Sequence, residues 1–175
     1  TLNELPPNLE ILNLRINNLT SLPTLPNTLE DLDCSVNVIT GLPDLPQSLI
    51  ELDCTSNQIN SLPALPSTLD ALYCGINPLF QLPTLPPALR RLGCVATSLT
   101  ALPTLPPMIW TIDCSGNQLS VFPAIPASLQ YLSCSQNNLS VLPTLPTGME
   151  SLDCRSNPSL VLPSLPPALN VFWCD

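Results

Sequence analysis

Leu42-Pro43-Asp44-Leu45-Pro46-Gln47-Ser48-Leu49-Ile50-Glu51-Leu52-Asp53-Cys54-Thr55-Ser56-Asn57-Gln58-Ile59 returns along the chain with a period of twenty residues. The eight cysteines mark the phase: Cys34, Cys54, Cys74, Cys94, Cys114, Cys134, Cys154 and Cys174, with Leu14 in that place in the first repeat. A fixed period in this range signals a solenoid, in which each unit buries its apolar face only against its neighbours. Within one unit, Leu32 and Cys34 alternate with Asp31, Asp33 and Ser35, the period-two pattern of a half-buried strand. Short strands are therefore expected over 11–15, 31–35, 51–55 and onward to 171–175. Stacked, they form a parallel sheet with neighbours about 4.8 Å apart.

The other half of each unit is Leu-Pro-x-Leu-Pro. Two prolines three residues apart share one face of a polyproline II helix, and proline forbids a central strand. The convex side should thus be extended and almost free of helix, with at most a turn near Ser67-Thr68-Leu69. Leu42, Leu45, Leu49, Leu52 and Ile59 represent five apolar columns that fill the interior.

The chain has 175 residues, which we read as one domain, 1–175, of about nine coils. It opens at Thr1 in mid-repeat and stops just past a strand, so we expect a piece of a longer protein, with other domains or chains covering the open ends. Net charge is −9, with no lysine and no histidine. Such a chain repels phosphate backbones and anionic membranes, so neither nucleic acid nor membrane insertion is expected. No apolar run is long enough to span a bilayer.

Asn17, Asn37, Asn57, Asn77, Asn117, Asn137 and Asn157 form a second ladder. We expect these side chains to be buried where the chain turns after the strand, bonding the coils on either side, since buried polar groups must be paired. Thr97 interrupts the series, and Ser159 stands where leucine is expected, with Leu160 following it. All eight cysteines should point inward as free thiols: in-register side chains point the same way, and a straight column lacks the convergence that a tetrahedral metal needs. Without histidine or lysine there is no Cys-His or Ser-His pair and no lysine nucleophile, so we expect neither an enzyme nor a cofactor.

Specificity should lie in the outward strand positions. Asp31, Asp33, Glu51 and Asp53, with Asp70 nearby, form an acidic patch suited to a basic partner. Further along, Tyr73, Val95, Trp110 and Tyr131 sit with Arg91, and aromatic residues and arginine are the usual interface anchors. Gly93 should open a dip between Tyr73 and Asp113.

Leu29-Glu30-Asp31-Leu32-Asp33-Cys34-Ser35-Val36-Asn37-Val38-Ile39 resembles the leucine-rich repeat signature, and the whole chain resembles bacterial short-type leucine-rich repeats. The Leu-Pro-x-Leu-Pro half is similar to the repeats of YopM-type and IpaH-type secreted effectors. The cysteine in Leu132-Ser133-Cys134-Ser135-Gln136-Asn137 is similar to that of Bacteroidetes cell-surface proteins, which type IX secretion often exports. The resemblance implies a leucine-rich repeat solenoid with a short parallel β-sheet on its concave face and a polyproline II convex side. It implies a secreted or cell-surface, hence extracellular, interaction module that binds a protein, or a glycan, through the concave face. Two other readings stand beside it: the substrate-recognition part of a host-directed effector with ubiquitin-ligase activity elsewhere, and a structural spacer.

Overall fold

The computed structural model describes residues 2–175. Nine parallel strands of three residues form one sheet in chain order: β1 (Ile11–Asn13), β2 (Asp31–Asp33), β3 (Glu51–Asp53), β4 (Ala71–Tyr73), β5 (Arg91–Gly93), β6 (Thr111–Asp113), β7 (Tyr131–Ser133), β8 (Ser151–Asp153) and β9 (Val171–Trp173). Each strand residue pairs with the one twenty positions on, as in Leu32 with Leu52 and Leu52 with Leu72. The strands are shorter than the expected five residues, but the hydrogen bonding outruns them. The Cys34 N–H donates to the Asp53 carbonyl at 2.8 Å, and the Val36 N–H to that of Thr55 at 2.9 Å.

The convex half is extended, and no helix occurs among the described residues. One turn interrupts each coil, as where the Leu69 N–H donates to the Pro66 carbonyl at 3.2 Å. Proline supplies no donor to the next coil, so hydroxyls make the ties instead. Thr68 Oγ1 donates to the carbonyls of Gln47 (2.8 Å) or Leu49 (2.9 Å), and Ser48 Oγ donates to that of Leu29 (2.6 Å). Inside, Leu49, Leu52, Cys54 and Ile59 are fully buried, while Leu42 is half-buried near the surface. Each fully buried leucine contributes about 1.5–3 kcal/mol.

All eight cysteines are free, and seven are buried. Cys174 lines one hollow with Cys154, Leu160 and Leu162 but is exposed, because the last described coil has a neighbour on one side only. Burial pushes the thiols of Cys34 and Cys134 up to about 12.

The asparagine ladder is directional, which corrects the expectation of bonds to both neighbours. Asn57 Oδ1 accepts the Ile39 N–H at 2.9 Å, and its Nδ2 donates to the carbonyls of Cys34 (3.0 Å) and Cys54 (3.1 Å). Every cross-coil bond of this side chain therefore reaches back to the preceding coil, because the following coil supplies its own asparagine, Asn77, to Cys54 and Ile59. Asn17, in the first repeat, is exposed, and among the described residues its side chain bonds only within its own coil.

At Thr97 the ladder breaks, and the preceding coil has changed to suit. The Leu79 N–H, which an asparagine at 97 would cap, turns back to the Asn77 carbonyl at 2.8 Å across Pro78. Proline holds the φ that such a tight inverse turn requires. In the eighth coil Asn157-Pro158-Ser159-Leu160 closes a turn, the Leu160 N–H donating to the Asn157 carbonyl at 3.0 Å. Ser159 is left exposed and Leu160 packs against the core in place of the missing leucine.

Candidate partner-binding face

Residues one and three of every strand face outward on the concave side. In the acidic patch, Asp31 lies opposite Glu51 and Asp33 opposite Asp53, where like charges repel. Part of that repulsion is relieved locally. Arg91 Nη2 lies 3.2 Å from Glu51 and 3.0 Å from Asp70, and Ala71, between Glu51 and Arg91 in register, is fully buried. Partial burial pulls the Arg91 guanidinium down, but the Asp70 hydrogen bond and nearby negative groups hold it above its ordinary value. Arg91 therefore belongs to the acidic patch and not to the aromatic residues with which its position groups it.

Asp33 and Asp53 carry a second duty that the sequence reading missed. Asp33 Oδ1 accepts the Ser35 N–H (3.0 Å) and Ser35 hydroxyl (2.6 Å), and Asp53 Oδ1 accepts the Thr55 N–H at 2.9 Å. Asp113 does the same for Ser115. The signal was there in the tripeptides Asp-Cys-Ser and Asp-Cys-Thr, since aspartate readily caps the backbone two residues on. One oxygen of each carboxylate stays available on the face. No group of three or more carboxylates, thiols or imidazoles that could hold a metal occurs among the described residues.

Beside the patch lies a depression of about 270 Å³, lined mainly by Tyr73, Gly75, Ile76, Gly93 and Val95. Two glycines create it. A Cβ at Gly93 would stand 2.9 Å from Tyr73 Cδ1, and one at Gly75 would stand 2.9 Å from the Val95 carbonyl oxygen. The missing side chain at 93 lets the Tyr73 ring lie across β5. Ile76 reaches the rim through a left-handed backbone (φ 52°) and is 55 % exposed. A β-branched residue rarely adopts that region. The same column holds Ile16, Val36 and Gly116, all left-handed; Gly116 is the one residue there whose type announces the geometry.

Trp110 and Tyr131 form a separate cluster, ring centroids 5.8 Å apart and edge to face. The Tyr131 hydroxyl donates to Glu150 Oε2 at 2.7 Å, which pushes the phenol up. Thus Tyr73 and Val95 line one depression, Arg91 meets Glu51, and Trp110 meets Tyr131, but the three aromatic residues do not converge on one spot.

A nine-stranded parallel solenoid with this twenty-residue phase invites comparison with solved structures. The leucine-rich repeat domain of a Shigella effector is 33 % identical over 90 % of this chain and 72 % of its own, with a TM-score of 0.79. The chain belongs to the leucine-rich repeat family. YopM from Yersinia enterocolitica is 36 % identical over 95 % of this leucine-rich repeat chain, with a TM-score of 0.76. YopM from Yersinia pestis, a leucine-rich effector protein, is 32 % identical over 93 %, with a TM-score of 0.81. The chain spans 42 % and 53 % of these two YopM chains. No family model and no curated protein matches it. The fold and these neighbours support a protein-interaction repeat domain. No helix among the described residues is long and apolar enough to cross a membrane.

Proposed function

We propose that this leucine-rich repeat domain belongs to a secreted or cell-surface bacterial protein and binds a partner protein through its concave face. The observation that carries the reading is the apolar depression of about 270 Å³, which has Asp113 in its lining and Asp53 opposite Tyr73 in register, with Asp33 one strand further on. An apolar side chain of the partner fills the depression, and basic side chains meet the free carboxylate oxygens of Asp31, Asp33 and Asp53. Glu51 takes part less, being paired with Arg91. Trp110 and Tyr131 form a second contact further along the face. The cysteine column favours the cell-surface setting, by its resemblance to exported Bacteroidetes repeats. Likeness to the Shigella and Yersinia effectors favours a second reading, substrate recognition within a host-directed effector whose ubiquitin-ligase activity lies elsewhere.

A pull-down tests the shared part of both readings. A partner retained by the immobilised protein should be lost by a Tyr73→Ala, Val95→Asp variant whose circular dichroism is unchanged. Equal retention by both proteins contradicts the assignment of the depression.

A further inference from the structure

A second cleft, of about 210 Å³, crosses β6 to β9 on the same face and differs in chemistry from the first. Its floor is polar. Thr111 and Ser151 flank Tyr131 in the first outward column, and Asp113, Ser133 and Asp153 follow one another in the third. Among the described residues the Thr111 and Ser151 hydroxyls have no hydrogen-bond partner. Asp113 uses only Oδ1, on Ser115. Aromatic rings stand on alternate strands: Tyr131 on β7 within the cleft, and Trp173 on β9 at its end, opposite Asp153 in register and 49 % exposed. Arg155 fixes Trp173 by standing 5.1 Å from its ring centroid, and it is itself held by Asp153 at 2.7 Å.

Unspent groups beside aromatic faces, here the Thr111 and Ser151 hydroxyls and Asp113 Oδ2, are what a sugar requires: the polar atoms take its hydroxyls, and the rings take its C–H faces. The spacing fits as well. Strands repeat every ~4.8 Å, close to the length of one sugar unit in an extended β-linked chain, so successive rings meet equivalent rows of the sheet. The charge sets the class. The cleft holds two aspartates, and Arg155, the one cation beside it among the described residues, is spent on Asp153, so uronic or sulfated sugars are repelled.

We propose that this cleft binds a neutral, extended β-linked saccharide lying along the solenoid axis. The cleft adjoins the apolar depression, sharing Thr111 and Asp113 with it, but Ser151 and Trp173 line the cleft alone and Tyr73 the depression alone, so variants at Trp173 and Tyr73 tell the two apart.

Isothermal titration of the protein with cellohexaose, laminarihexaose, chitohexaose and the acidic hexagalacturonate tests it. At least one neutral hexasaccharide should bind saturably, and hexagalacturonate should not. Trp173→Ala should weaken binding about tenfold or more, the loss typical of an exposed aromatic anchor. Thr111→Val, which keeps shape and removes the hydroxyl, should weaken it several-fold. Tyr73→Ala and the convex Thr104→Val should leave it unchanged. No heat from any neutral hexasaccharide at about 5 mM, beyond the usual range of weak specific sites, overturns the proposal. So does a Trp173→Ala variant that binds as the parent does, or a cleft that proves to hold only the protein partner.

Discussion

Raising the pH from about 8 to about 10 should unfold the protein, because its thiol column ionises in the unfolded chain and not in the fold. Burial is the main cause that holds Cys34 and Cys134 at about 12, and it drives Cys54, Cys74, Cys94 and Cys114 well above the ordinary 9.0. Neighbouring thiols and aspartates push in the same direction. Below the ordinary value both states are neutral and the thiols give no pH dependence. Above it the folded state binds more protons than the unfolded one, so stability falls as pH rises until the folded values are reached. At about one pH unit above the ordinary value, each such thiol removes about 1.4 kcal/mol. Six together remove about 8 kcal/mol, within the usual range of a domain's whole stability. Circular dichroism against pH reads the transition. A Cys74→Ala, Cys94→Ala pair should lose about a third less stability than the parent between about pH 8 and about pH 10, by removing two of the six titrating groups. Stability that stays flat to about pH 11 contradicts this account of the column.

Asn57→Ala should destabilise the protein by about 3 kcal/mol, the upper part of the range for orphaning a buried polar group. The carbonyls of Cys34 and Cys54 keep Asn37 and Asn77 as donors. The Ile39 N–H keeps nothing: its acceptor is Asn57 Oδ1, and Ile39 is fully buried. Thr97 shows what relief would take, since there the orphaned N–H of Leu79 is rescued by the turn over Pro78. Position 38, the residue before Ile39, carries valine, so proline's constraint does not hold that turn there. Gln58→Ala, at the exposed neighbouring position, should change stability by less than about 0.5 kcal/mol. Urea denaturation of both variants checks the contrast, and equal losses would contradict the directional ladder.

The repeat made the fold legible because identical units must solve an identical packing problem. Leu32, Leu52 and Leu72 face one way for one reason, and one phase places nine strands. Departures were legible as departures, but not their remedies: Thr97 marked a changed turn, whereas the answering Pro78 lies a coil earlier. The ladder's direction was hidden too, because composition does not say which neighbour an amide faces. On the concave face, columns could be read and lateral reach could not. The Arg91 side chain is long enough to cross Ala71 and join Glu51, which removes it from the aromatic group its position suggests. Exposure of Cys174 and Asn17 follows from their having, among the described residues, a coil on one side only, a property of place and not of residue type.

The most direct test of the concave-face account is surface plasmon resonance against a partner recovered by pull-down. Tyr73→Ala and Trp110→Ala should leave association unchanged and raise the off-rate about thirtyfold or more at a desolvated anchor. Asp33→Asn with Asp53→Asn should slow association and flatten its dependence on salt. The convex Thr84→Arg and Thr104→Arg should change neither rate. Loss of binding in the two convex variants, with Tyr73→Ala and Trp110→Ala binding as the parent does, would contradict the account.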